Sequence, residues 1–369
     1  MLFSFGNPTT AKVRLGEIFL LEQDVAKHNM RAATVVRDTF ATQSVKHAMA
    51  PPGSDFSPML DALDEYLPVL VALVEQIHKT YNKNMSEALV FRWTTWMMNA
   101  KEVHELPLFE DELCAAYCTK ALLHYKSAHA LLAGNKPVTT GTKEKLAAAE
   151  LHTAASIFSW VSTTLIPLSL MSSDTRPTEL HPKACEAMSL LCLCHVQELV
   201  IDSAVASNKS DGAIAKLYFG LVQQYRSVQQ ALNGLEHAYH TLEVGFKVWP
   251  RLQLEYNHGR ALYYLGKMAL SERKYGEAIS LMQGAVSTLE SIRFPECDHP
   301  SIDRARNQVK SATAEVKSVL NPLIKDNSTI YFAVVPDIKE LPLPQGTFIP
   351  KLQEFIPVAA DQKQYFDTP

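Results

Sequence analysis

The residues whose types could do chemistry are few and scattered. Cys192-Leu193-Cys194-His195 is a run of soft metal ligands. Zinc needs about four such groups converging on one point. On a helix, adjacent and i+2 side chains point apart, so these three do not close on one ion. Cys114 and Cys118 stand one turn apart, but no His or carboxylate pair follows them at zinc spacing. His124, His129, His152, His237 and His240 lie along helical text, with no Ser, Cys or Asp beside them in a nucleophile motif. Leu265-Gly266-Lys267-Met268 lacks the upstream glycine and the hydroxyl of a phosphate loop. The charged run 144–150 reads as a solvated helix face. The expectation is a chain that is not an enzyme, with no catalytic residue, no metal and no cofactor.

Composition narrows the class further. The 369 residues are 47% hydrophobic and 20% charged, ordinary for a folded chain. Only 14 are Gly, fewer than an all-β protein of this length needs for its turns. The net charge of -4 argues against a nucleic-acid partner, which selects a strong basic excess. The six cysteines sit mostly in apolar helical text and read as reduced cytosolic thiols. The N-terminus shows no secretory pattern and the C-terminus no prenylation cysteine, so membrane contact is expected to be peripheral or through a partner.

The elements that would position any site are helical. Residues 1–20 read as extended, with a short strand at Val13–Phe19. Residues 22–49 place Val25, Met30, Ala33, Val36 and Phe40 on one face. Pro51-Pro52-Gly53-Ser54 is a break, and Asp55 an N-cap for a helix that Pro68 should kink. Leu89–Trp93 fits either a strand or a helix start. Helices follow over Phe109–Leu132, Thr142–Leu165, Lys183–Ala206 and from Ser210 to about Leu232. Pro250 should divide a helix near 235–248 from one at 251–270. Tyr275–Ile292 and Ser301–Leu320 complete the set, and beyond Asn321 the Pro-rich text should wrap over the helices as extended chain. From Leu254 to Ile279, a Leu-Gly, Tyr, Ala spacing matches one tetratricopeptide helix pair, in which small residues let the helices approach.

Three ordered stretches carry a family resemblance. The first is Ala88-Leu89-Val90-Phe91-Arg92-Trp93. The second runs through Lys145, Ala154-Ala155-Ser156-Ile157-Phe158, Gln197-Glu198-Leu199 and Ile214-Ala215-Lys216-Leu217. The third is Ile330-Tyr331, Val335-Pro336-Asp337, Leu341-Pro342 and Phe355-Ile356-Pro357. Together they resemble the Bro-domain family of ESCRT-associated adaptors (ALIX- and Brox-type), over residues 1–357. The resemblance implies an all-α, curved, boomerang-shaped helical solenoid with a tetratricopeptide-like core and a few short strands near the N-terminal part. It implies one Bro-type domain over 1–357, divided at 1–105, 106–292 and 293–357, with a tail at 358–369.

The resemblance also implies a function: binding the C-terminal amphipathic helix of a Snf-type ESCRT-III subunit, in the cytoplasm and at endosomal membranes. Carried over by position, the site comprises Val200, Ala213, Leu217, Lys145 and Lys216. Val200 stands where the family often has a larger aromatic, and Ala213 where it has a bulky aliphatic. At ~25 cal/mol per Å2, each smaller side chain costs on the order of 1 kcal/mol of binding. Tyr331 matches a tyrosine that family adaptors expose near the groove as a kinase target. From spacing, Ala213, Leu217 and Leu221 are expected to share one open apolar face. The plain alternative is that all three are core. Basic residues from Lys209 to Lys274 suggest contact with an anionic membrane, against the alternative of a scattered solubility face. A second functional reading is a Bro-fold signalling scaffold for a different helical partner.

Overall fold

The computed structural model describes residues 2–19, 21–50, 54–80, 89–98, 102–134, 142–169, 171–172 and 175–367. Among the described residues it is built of helices with one two-stranded antiparallel sheet. The break expected at 51–53 lies outside the described residues. Contacts divide the chain into two compact units.

One unit comprises Phe5–Ser189, Leu235–Leu242 and Leu352–Pro369. Its helices α1 (Leu15–Ile18), α2 (Asp24–Met49), α3 (Ser57–Thr80), α4 (Phe109–Leu132) and α5 (Thr142–Trp160) pack in consecutive pairs. The strand expected at Val13–Phe19 is instead the single turn α1. Asp55 does cap α3, accepting the Ser57 N–H at 3.3 Å. α3 continues through Pro68, because proline removes only one ladder bond and the buried Leu63, Leu67, Leu70 and Leu73 hold both halves. The ambiguous Phe-x-Trp stretch is β1 (Phe91–Thr94), paired with β2 (Val103–Leu106). Alternation buries Phe91 and Trp93 and exposes Arg92.

Of the α2 face read from the spacing, Met30, Ala33 and Phe40 are buried and Val36 is half-buried, but Val25, in the first turn, is exposed. Arg37 shares the buried face of α2, between Ala33 and Phe40. Its guanidinium meets Glu112 of α4 at 3.0 Å and Thr10 Oγ1 at 2.7 Å, and also donates to the Ala11 carbonyl. Glu112 in turn accepts from Tyr66 at 3.2 Å and from the Trp93 indole at 2.5 Å. This network joins α2, α3, α4, β1 and the N-terminal segment. Residues 352–367 pack back on the same unit: Phe355 lies against Tyr117 and Trp160, and Phe366 against Phe19.

The other unit comprises Met1–Ser4, Leu190–Gly234 and Glu243–Lys351. α6 (Pro182–Ala206) begins in the first unit and ends in this one. It is long and apolar enough to cross a membrane by length and composition, but most of it is buried within the protein. α7 (Asp211–Asn233), α8 (Val244–Ser271), α9 (Tyr275–Ser291) and α10 (Pro300–Asp326) pack each on the next. The break expected at Pro250 does not occur. Residues 236–241 form a 3-10 turn, and α8 starts at a Glu243 cap and runs through Pro250, anchored by the buried Phe246, Trp249 and Leu252. α10 likewise passes Pro322.

α8 and α9 form the expected close pair. A Cβ on Gly259 would lie 2.7 Å from Leu289, and one on Gly266 2.7 Å from Met282, so only glycine permits this approach. Beyond α10 the chain becomes an extended strap.

Candidate partner-binding site

The predicted site residues fall on both units. In the unit of α7 to α10, Ser210 caps α7 by accepting the Ala213 N–H at 3.4 Å. Asp211 pairs with Lys267 of α8 at 2.8 Å, and Gly212 fits against Met268. These contacts fix the first turn of α7. They leave Ala213 and Lys216 exposed and Leu217 half-buried.

One turn further the surface closes. The strap crosses α7 where Gly220 and Gly346 meet: a Cβ on Gly220 would stand 2.2 Å from the Thr347 carbonyl, and one on Gly346 2.4 Å from the Gly220 nitrogen. Thr347 N–H donates to the Lys216 carbonyl at 2.8 Å. Gln197 of α6, itself wholly buried, fastens the crossing. Its amide nitrogen donates to the carbonyls of Leu217 at 3.1 Å and Thr347 at 2.9 Å, and its amide oxygen accepts the Ile349 N–H at 3.0 Å. One side chain thereby uses both its donors and an acceptor. Leu221 is fully buried, so the expected open stripe of Ala213, Leu217 and Leu221 ends at Leu217. The reason is geometric: eight residues along a helix rotate the side chain some 80° off the starting face, which here turns Leu221 into the core.

Val200 lies on α6, three residues after Gln197, and is half-buried. The same stretch carries a polar cluster. Glu198 accepts from Tyr225 at 2.7 Å and meets the His195 ring at 3.2 Å. Burial pushes the His195 imidazole below its ordinary pKa, and Glu198 opposes that shift. A cavity of about 90 Å3 opens beside Glu198, lined by Asp202, Tyr218, Gln253, Tyr256 and Asn257. It has room for a few waters.

Lys145 belongs to the other unit, exposed on the first turns of α5. Tyr331 is 41% exposed and stacks on Tyr275, ring centroids 3.7 Å apart. Cys192 and Cys194 are buried thiols whose pKa values burial raises. The resemblance alone does not mark Gln197 as the residue that fastens the strap. A fully polar amide inside the apolar text of α6 is the signal that could have singled it out.

Comparison with known proteins sets this geometry in context. A family model described as BRO1-like domain matches residues 24–367. Programmed cell death 6-interacting protein of Homo sapiens is 24% identical over 233 residues, which cover 60% of this chain and 24% of that protein. The pH-response regulator protein palA/RIM20 of Debaryomyces hansenii is 25% identical over 176 residues, covering 47% of this chain and 22% of that protein. The matches therefore span about a quarter of these relatives' length. A solved structure described as an ALIX BRO1 CHMP4C complex superposes with a TM-score of 0.71 at 18% identity, covering 99% of this chain and 98% of that one. At that identity the likeness is one of fold.

Proposed function

Because the chain belongs to the BRO1-like domain family, we propose that it is a non-catalytic adaptor taking up the C-terminal amphipathic helix of a Snf-type ESCRT-III subunit on the surface of α6 and α7. The observation that carries this reading is the half-buried Leu217, flanked by the exposed Ala213 and Lys216 on a helix end secured at both sides. Helix-in-groove binding needs an apolar anchor on rigid backbone with open space one turn away. Leu217 and Val200 supply the apolar surface, Ala213 the clearance. Lys216, exposed on α7, is the cation that steers acidic residues of a partner, which raises association rate more than affinity; Lys145, exposed on α5, enters the proposal on the family resemblance alone. Recruitment to endosomal membranes then follows the partner. Tyr331, with its exposed edge, is the kinase-accessible position.

A second reading has its own support. Val200 and Ala213 are small, and the strap closes α7 beyond Leu217, so the apolar surface is short. A different helical partner with few anchors fits it as well.

Titration with a fluorescent C-terminal ESCRT-III helix tests the proposal. Leu217→Asp should weaken binding by about tenfold or more, since burying a Leu contributes about 1.5–3 kcal/mol. Its far-UV CD should match the wild type. Unaltered affinity, or a variant that unfolds, would remove Leu217 from the interface.

A further inference from the structure

The turn that follows α10 presents apolar side chains to solvent on a pinned backbone. α10 widens after Asp326 into a single π-turn, Asn327–Tyr331, and Phe332 ends it with φ 51 and ψ 30. That left-handed conformation suits Gly or Asn and is sterically costly for an aromatic residue. The surrounding bonds hold it there. Phe332 N–H donates to the Asn327 carbonyl at 2.7 Å. The Asn327 side chain bonds both the N–H and the carbonyl of Ala333, at 2.9 and 3.0 Å. The Val334 carbonyl then lies so near Gly276 of α9 that a Cβ there would sit 1.9 Å from it.

With the backbone held against α9, the side chains point outward. Ile330 is 62% exposed, Phe332 73% and Val334 88%. A bulky ring held in a strained conformation with most of its surface in water lowers stability. Such outliers collect at functional positions.

The shape and the charges select the occupant. Side chains this exposed stand clear of the surface and do not wall a groove for a helix. Three of them offer a few hundred Å2 at most, well under the roughly 800 Å2 per partner of a stable specific interface. A bilayer needs no matching surface, only protruding apolar groups with cations at headgroup depth. Arg273, near enough to act electrostatically on Tyr331, and Lys325, at the end of α10, supply those cations. Among the described residues neither is in an ion pair, whereas Glu272 is matched by Lys274 at 2.8 Å. The carboxylates nearby are Asp326, which acts on Tyr331, and Glu277 in the first turn of α9, which acts on Lys274.

We propose that Ile330, Phe332 and Val334 insert into the interfacial layer of a membrane containing anionic lipid. The chain thereby touches the membrane directly, by a contact separate from the α6–α7 surface.

Sedimentation of the whole chain with phosphatidylcholine vesicles, with and without phosphatidylserine, tests this. The wild type should pellet with the anionic vesicles. The double variant Phe332→Asn, Val334→Asn should lose about tenfold in vesicle affinity. Asn suits the left-handed position, so the variant's Tm should equal or exceed that of the wild type, and its affinity for an ESCRT-III helix should not change. A wild type that stays in the supernatant with anionic vesicles overturns the proposal, as does a double variant that pellets equally well. So does light scattering that shows the wild type self-associating through this turn in place of binding lipid.

Discussion

Arg37 and Glu112 meet at 3.0 Å with neither side chain exposed to solvent. The pair is held by further bonds to Thr10, Ala11, Tyr66 and Trp93, which leave the Arg37 Nε–H as the buried donor of the pair with no partner among the described residues. Each partner would be an uncompensated buried charge without the other. Glu112→Gln should therefore lower the unfolding free energy by about 3 kcal/mol. Glu105→Gln, which breaks the exposed pair with Arg92, should lower it by less than about 1 kcal/mol. Urea denaturation of the two variants makes the comparison. Equal losses would mean that the buried network holds nothing together.

The crossing of Gly220 and Gly346 leaves no room for a methyl group. Gly220→Ala should lift the strap off α7, at a cost of about 1–3 kcal/mol for the overpacking. Hydrogen exchange at the Thr347 and Ile349 amides should accelerate, because their acceptors are the Lys216 carbonyl and the Gln197 amide oxygen. Gln197→Ala should accelerate the same two amides without any steric clash. Unchanged exchange in both variants would show that the strap is held elsewhere.

Ala213 is exposed and Val200 half-buried, so larger side chains can be added there without entering the core. If these positions contact a partner helix, Ala213→Ile and Val200→Phe should each strengthen peptide binding by about fivefold, on the order of 1 kcal/mol. Fluorescence titration of the two variants against the wild type reads this out. Affinities that do not rise would place the partner on another surface.

Glu179 is wholly buried and accepts from Thr95 at 2.9 Å. Burial raises its pKa above the ordinary 4.5, so the folded state favours the protonated acid. The sign follows from linkage. Its contribution to stability is full below about pH 4.5 and is lost as pH rises through the higher folded value. Glu179→Gln keeps an acceptor for Thr95 and removes the titration. The variant should be more stable than the wild type at neutral pH, with the difference shrinking toward pH 4.5. A difference in Tm that is flat with pH would contradict this.

The sequence made some of this legible and hid the rest for physical reasons. Long helices with clear ends, such as α4 and α6, follow from apolar runs bounded by Pro and Gly. The α8–α9 pair follows from Gly259 and Gly266, whose spacing has a packing cause. Prolines misled: Pro250 and Pro322 read as breaks, yet each removes one hydrogen bond while buried neighbours keep the helix continuous. Arg37 was invisible as a core residue because nothing local announces a partner 75 positions away. At the candidate site, spacing alone puts Ala213 and Leu217 on one face, but it does not tell exposed from buried. That distinction depends on the strap, an extended segment with no periodic pattern to betray what it covers.

The crossing at Gly220 also sets a rule for how this chain can change in length. Two backbones pass that closely only where neither carries a side chain. Deleting or inserting one residue in the strap ahead of Gly346 would bring Thr347 or Gln345 to the crossing point. Substitutions among the exposed strap residues should be tolerated freely, whereas single-residue indels between Ala333 and Gly346 should be among the least tolerated changes in the protein.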